Sequence, residues 1–120
     1  MAFQEIANVG TLTGQTGSVP TTTLLKTGPL GAGMYAIWAD VLVTTAGSAG
    51  TVTISVNWDN GTSLASLTSQ AFSLSTVGEQ AALLGNFISV ANSPITYATT
   101  VFGATGNPVY ELRLRLMYLG

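Results

Sequence analysis

Acid–base chemistry relies mostly on charged side chains. Only eight of the 120 residues carry one, which is 7% of the chain, whereas ordinary soluble domains have about 25%. Histidine and cysteine are absent, which removes the commonest general base, thiol nucleophile and thiolate metal ligand. Catalysis would therefore have to use carboxylates. A glycosidase needs two of them roughly 5 to 9 Å apart, and the candidates are Glu5, Asp40, Asp59, Glu79 and Glu111. A carboxylate-based hydrolase is thus the enzymatic alternative to a non-catalytic protein.

Two of these acids have structural interpretations. Asp59 precedes a turn-forming Asn-Gly pair, where an aspartate side chain caps the local backbone. Asp40 stands beside Trp38 in a strand-like run, where an ion pair with Lys26 or an arginine competes with a role in a site. Neither position points to catalysis, and we predict that the chain is not an enzyme.

Motifs for cofactors and metals are missing. The glycines form neither GxGxxG nor GxxxxGK[ST], so no nucleotide-binding motif is present. Asp59-Asn60 is only a fragment of a calcium loop, and Asn60-Gly61-Thr62, although a glycosylation sequon, equally fits a hairpin turn. We predict no catalytic residue, no cofactor-binding residue and no metal ligand.

The charge balance also argues against two classes of partner. The net charge is −2, and the three basic residues are spread between positions 26 and 115, which leaves no electrostatic footprint for nucleic acid. The longest apolar-leaning stretch, 34–43, contains Asp40 and is about half the roughly 20 residues that span a bilayer. The first ten residues lack the pattern of a secretory signal. We therefore expect neither nucleic acid nor membrane as a partner.

Three runs alternate with a period of two, the signature of β-strands with one buried face. β-Branched and aromatic residues dominate these runs, which favours strands over helices. The predicted inward rows are Val52, Ile54, Val56 and Trp58; Tyr110, Leu112, Leu114, Leu116 and Tyr118; and Tyr35, Ile37, Ala39, Val41 and Val43.

Further strand candidates are 3–13, 18–26, 69–75, 81–90 and 95–102, with a short helix at 81–84 as an alternative. The connectors carry turn chemistry, and several exceed a two-residue hairpin, which favours strands that cross between two sheets; they are 28–31, 46–50, 59–61, 92–94 and 103–108. We predict an all-β fold, a jelly-roll-like β-sandwich of about eight antiparallel strands. Residues 1–120 form one domain, with 1–12 either an N-terminal arm or the first strand.

The rows opposite the predicted core hold candidates for contacts between subunits. Because 47% of the residues are hydrophobic and 7% charged, some apolar area is expected to be buried between chains. Opposite charges on one strand face could pair across a symmetric interface, although a solvated strand face is the alternative. The candidate interface residues are Met34, Trp38, Leu42, Phe102, Glu111, Arg113, Arg115 and Met117.

Aromatic residues allow one further interpretation. Trp38, Trp58, Tyr97, Phe102 and Tyr118 could form a platform for a sugar ring, although aromatics at strand spacing also fit a core. A glycan partner is therefore an alternative without further support.

The chain resembles small bacteriophage virion structural proteins with a jelly-roll domain, of the capsid decoration and tail-appendage type. The resemblance covers nearly the whole chain and is carried by LTGQTGSVPTTTL at 12–24, GMY at 33–35, TTAGSAGTVT at 44–53, PITYATTVFGA at 94–104 and YELRLRL at 110–116. It implies a compact β-sandwich that is often trimeric and carries over no catalytic residue.

Together these observations predict a structural virion protein, preferably a capsid decoration (cement) protein. Its partners would be itself, as a homotrimer, and the major capsid protein or another virion protein. Its location would be the virion, assembled in the cytoplasm of the host bacterium. A tail or collar component and a carbohydrate-binding host-recognition head domain are the alternatives.

Overall fold

The computed structural model describes residues 4–8, 12–26, 32–90 and 94–120, with side chains for 12–24, 32–90 and 94–120. These residues form ten strands and no helix. The strands are β1 Gln4–Asn8, β2 Leu12–Gln15, β3 Thr22–Lys26, β4 Gly33–Thr45, β5 Ala49–Asp59, β6 Leu64–Thr68, β7 Phe72–Ser73, β8 Gly78–Ser89, β9 Pro94–Thr105 and β10 Val109–Tyr118. Within the same residues, no helix is long and apolar enough to cross a bilayer.

Two antiparallel sheets make up the sandwich. The first has the order β1-β10-β4-β8, with β2 also on β10, and the second has the order β3-β9-β5-β6, with β7 also on β5. β1 and β2 pair successive parts of β10, and β6 and β7 pair successive parts of β5. If β1 with β2 and β6 with β7 are each counted as one position, the ten described strands occupy eight positions along the chain. The first position pairs with the eighth, the second with the seventh, the third with the sixth and the fourth with the fifth. This order is a jelly roll, and the predicted fold is confirmed.

The core lies between the sheets and is built mainly from the three predicted rows. All members of the rows on β4 and β5 are buried, and so are those on β10 from Tyr110 to Leu116. Trp58 stacks on Phe87 with ring centroids 4.2 Å apart, and Tyr35 lies between Phe87 and Tyr118 at 5.7 and 5.2 Å. Because side chains alternate across a strand, burying these rows turns the residues between them outward.

Several predicted boundaries were wrong. The helix alternative at 81–84 is wrong because this segment is part of β8, which pairs with β4 along its length. Of the run 69–75 only Phe72–Ser73 is a strand, and β6 was missed. Strand β3 begins at Thr22 rather than at residue 18, because residues 18–19 cross between the sheets and bond to β9 through backbone and side chain. The connector 28–31 and residues 92–93 lie outside the described part.

Candidate interaction surface

The outward side of the first sheet carries most of the residues that could interact with a partner, and we call it the outer face. It is formed by alternate residues of three neighbouring strands, which the register places side by side. Its members are Met34, Trp38, Asp40 and Leu42 on β4; Glu111, Arg113, Arg115 and Met117 on β10; and Glu79, Ala81, Leu83 and Ile88 on β8.

The apolar end of the outer face is open to solvent. Trp38 is 37% exposed and lies level with Leu83, which is 53% exposed. Further along the same two strands, Met34 is 39% exposed and pairs with Ile88, which is 56% exposed. These four large apolar side chains form two pairs on one face of the sheet, separated by the level of Ala36 and Asn86, and exposed apolar groups of this kind commonly mark interaction sites.

Charge is concentrated on the remaining part of the same face. Five of the eight charged residues lie here: Asp40, Glu79, Glu111, Arg113 and Arg115. The guanidinium of Arg113 is 3.9 Å from a carboxylate oxygen of Asp40 and 3.9 Å from one of Glu111. Charge-assisted hydrogen bonds are shorter, about 2.7 to 2.9 Å. These two contacts are loose surface pairs and contribute little to stability by themselves.

Asp40 is the most perturbed acid of the outer face. Partial burial raises the pKa of its carboxyl, and so does the neighbouring Glu79, whereas Arg113 and Arg115 lower it. Its Oδ1 is buried and has no hydrogen-bond partner among the described residues. A proton on Asp40 would let its carboxyl donate a hydrogen bond to Glu79, so this corner of the outer face is better satisfied in acid.

The raised pKa of Asp40 predicts the pH dependence of stability. Because the folded chain holds this proton more tightly than the unfolded chain, stability present at low pH is lost as pH rises from about 3.8 through the folded pKa. Asp40→Asn should remove that loss, and its free energy of unfolding should exceed that of the wild type at pH 7 but not at pH 3. Urea unfolding across this pH range measures the difference.

Glu79→Gln is the second variant for this test. It removes a negative charge that raises the pKa of Asp40, so the wild-type loss of stability should become smaller and shift to lower pH. Equal pH slopes for the wild type and both variants would contradict the assignment to this pair.

An open depression of about 470 Å³ crosses the centre of the outer face. It brings an exposed indole beside two guanidinium groups and a carboxylate, so it can accept a planar, cationic or hydroxyl-bearing group. Its lining residues include Trp38, Asp40, Ala81, Arg113, Arg115 and Met117. No cluster of three or more potential metal ligands occurs in the part of the chain that the structure describes.

The structure brings seven of the eight predicted interface residues together on the outer face. The exception is Phe102, which lies on β9 in the second sheet, level with Thr51, and is 77% exposed. The aromatic platform is not assembled either, because Trp58 and Tyr97 are buried. Asp40 has Arg113 as its cationic neighbour, and Lys26 belongs to the second sheet.

Strand β8 supplies the residues of the outer face that were not predicted, among them Leu83 and Ile88. The two lie on the same face despite their odd and even numbers because β8 carries a bulge opposite the step from Ile37 to Trp38. Gly85 stands at the bulge with φ of +149°, and a Cβ there would lie 3.0 Å from Leu67. In the sequence, the signal for this bulge was a glycine inside a strand-like run.

No protein-family model and no curated protein matches the sequence. Among solved structures, a chain of the acidic stable capsid of Helicobacter pylori bacteriophage KHP30 is similar over 98% of this chain and 94% of that chain, at 15% identity and a TM-score of 0.45. A chain of the naturally occurring empty particles of cowpea mosaic virus matches over 100% and 90%, at 14% identity and a TM-score of 0.41. A chain of the disulfide-linked pili of Bacillus endospore appendages matches over 98% and 86%, at 14% identity and a TM-score of 0.35. None of these likenesses assigns a function to the chain.

Proposed function

We propose that the chain is a structural protein of a bacteriophage particle, of the capsid decoration type, which acts by associating with itself and with neighbouring virion proteins. The outer face carries this proposal. It leaves four large apolar side chains exposed in a chain that has only eight charged residues to keep it soluble. Burying such a patch against another subunit gains roughly 25 cal/mol per Å² of apolar surface removed from water.

The resemblance to small virion proteins supports the location that we propose, the virion, with assembly in the cytoplasm of the host bacterium. The major capsid protein is the preferred neighbour, and a tail or collar position is the nearest alternative. The fold supports a role in a shell because neighbouring jelly-roll domains can pack through flat sheet faces without rearranging their cores.

The experiment that tests the location is labelling of purified particles of a phage whose genome encodes this chain, using antibodies raised against the chain, viewed by electron microscopy. Label distributed over the heads is the expected result. Label confined to tails or collars would replace decoration with the appendage role, and unlabelled particles would overturn the virion role. Gene order gives an independent check, since a neighbouring gene for the major capsid protein favours decoration.

We further propose that the assembled unit is a homotrimer, alone or as a pair of trimers. Native mass spectrometry at micromolar concentration should give a mass that is a multiple of three 12.3 kDa subunits. The reason for the number three is the resemblance to small virion proteins, which are often trimeric. A monomer or a dimer as the largest species would contradict the number three.

A carbohydrate-binding head domain is the second candidate because Trp38 and Asp40 meet at the depression of the outer face. Stacking on an exposed indole beside a hydrogen-bonding carboxylate is a common way to hold a sugar. Glycan-array binding that is lost in Trp38→Ala and kept in Phe102→Ala, a matched change of an exposed aromatic on the opposite sheet, would support this role. An array without signal would remove it.

A further inference from the structure

The outer face is complementary to itself. On β10 the consecutive outward residues Arg113 and Arg115 are basic, and their register partners on β4 are Asp40 and Trp38. A carboxylate and an indole face are the two groups to which a guanidinium binds best. Each strand of this pair therefore presents the groups that fit the other strand.

We propose that the outer face packs against the same face of a second copy, around a two-fold axis that runs parallel to the strands between β4 and β10. Rotation about this axis exchanges the two strands, so β10 of each copy lies over β4 of the other. Arg113 then meets Asp40 of the second copy and Arg115 covers its Trp38. Each contact is made twice, as in any isologous interface.

Three other two-fold axes in the plane of the face bring like charges together. An axis along β4 places Asp40 on Asp40 and Glu111 on Glu79, because β10 and β8 flank β4 at the same level. An axis along β10 places Arg113 on Arg113. An axis perpendicular to the strands, midway between the levels of Asp40 and Trp38, places Arg113 over Arg115 of the second copy. Like charges held face to face disfavour these arrangements.

The geometry within one chain leaves Arg113 and Trp38 able to contact a second partner. Arg113 lies 3.9 Å from its own acids, farther than a direct hydrogen bond, so its guanidinium has donors to offer. Trp38 keeps 37% of its surface open beside the depression that spans β4 and β10. An arginine placed over it would exclude water from both side chains and gain a cation–π contact.

The area fits a weak and reversible contact. The three strands of the outer face, about 4.8 Å apart and each contributing about nine residues at about 3.3 Å, cover about 430 Å². Two copies would bury about 860 Å² together, below the roughly 1,000 Å² expected of a stable biological interface. The strength of such a contact can be measured by dilution.

Charge reversal tests the contact. Asp40→Lys alone and Arg113→Glu alone each place like charges across the axis, and each should weaken self-association at least tenfold in sedimentation velocity. An equimolar mixture should associate to within about threefold of the wild type, because the two reversals then compensate. Across the axis, the introduced lysine of one variant meets the introduced glutamate of the other, and the native Arg113 of the first meets the native Asp40 of the second. Rescue by mixing cannot arise from a pair within one chain.

Leu83→Lys and Phe102→Lys are the matched controls, since both change an exposed apolar residue on opposite sheets. Leu83→Lys should weaken association and Phe102→Lys should not, whether or not the two charge variants fold. Equal effects of these controls, or folded charge variants that fail to rescue each other, would overturn the proposal. Circular dichroism reports the folding of each variant.

The two-fold contact rests on the self-association in the proposed function. The mass of the wild-type assembly shows which of the two proposals has failed. Six subunits that fall to three in Leu83→Lys would support both the trimer and the two-fold contact. Two subunits would support the contact and overturn the trimer. Three subunits that Leu83→Lys leaves intact would support the trimer and overturn the contact, and a monomer would overturn both.

Discussion

Replacing Tyr35 with alanine is expected to lower the free energy of unfolding by about 3 to 5 kcal/mol, the usual range for truncating a buried aromatic residue. Tyr35 is fully buried on β4 and packs against the rings of Phe87 and Tyr118. Its removal leaves a cavity between the sheets where three ring systems meet. Because domains of this size are stable by only about 5 to 15 kcal/mol, urea unfolding should show a large fall in the midpoint.

Trp38→Ala is the matched control because it truncates an aromatic three residues further along the same strand on the opposite face. Trp38 is 37% exposed, so its loss should lower the free energy of unfolding of the monomer by less than the loss of the fully buried Tyr35 does. Self-association should weaken instead. Comparable unfolding losses for the two variants would contradict the assignment of one row to the core and the other to the outer face.

The contrast between these two residues explains how much of the fold was predictable. A strict period of two separates Tyr35 from Trp38 in the sequence itself, and the same alternation on β5 and β10 identified most of the core. The jelly roll then followed from the number of runs and from connectors too long for tight hairpins. Strand β6 was missed because it is short and its apolar residues, Leu64, Ala65 and Leu67, do not follow a strict period of two. Its two faces differ only between exposed and partly buried.

The composition of the outer face was less predictable because alternation assigns a residue to a side of a strand and not to a sheet. Phe102 and Trp38 both oppose core rows, yet β9 and β4 belong to different sheets. The contribution of β8 depended on a bulge, which reverses the alternation: Leu84 points inward before Gly85, and Phe87 does so after it. The neighbours of Trp38 on this strand became known only from the register.

A second large loss of stability is expected where the chain crosses from β2 in the first sheet to β3 in the second. Thr99 on β9 and Tyr110 on β10 face each other across the core and are almost fully buried. The Tyr110 hydroxyl lies 2.9 Å from Oγ1 of Thr99 and donates to the carbonyl of Gly17 at 2.8 Å, and the N–H of Val19 donates to the same Oγ1 at 2.8 Å.

The direction of the bonds in this network follows from counting protons. The Tyr110 hydroxyl has one proton, and the Gly17 carbonyl can only accept, so this proton is committed to Gly17. Thr99 must therefore donate to Tyr110, and its oxygen remains free to accept from Val19. Donors and acceptors run in one direction from Val19 to Gly17, so each bond polarises the next.

Tyr110→Phe and Thr99→Val should each cost about 1 to 3 kcal/mol, because each change leaves buried polar groups without a partner while the apolar packing is nearly kept. Urea unfolding measures both losses. Tyr118→Phe is the matched control, since it removes a single 3.2 Å bond to the carbonyl of Ala32 near the surface, and it should cost less than either.

The double variant distinguishes a connected network from two separate bonds. If the bonds form one network, Thr99→Val with Tyr110→Phe should cost less than the sum of the single changes, since the second substitution removes a group that the first had already deprived of its partner. Additive losses would contradict the coupling of Thr99 to Tyr110. A subadditive result would show that the crossover is fastened to both sheets at once, which holds the outer face on β10 and β4 in place over the core.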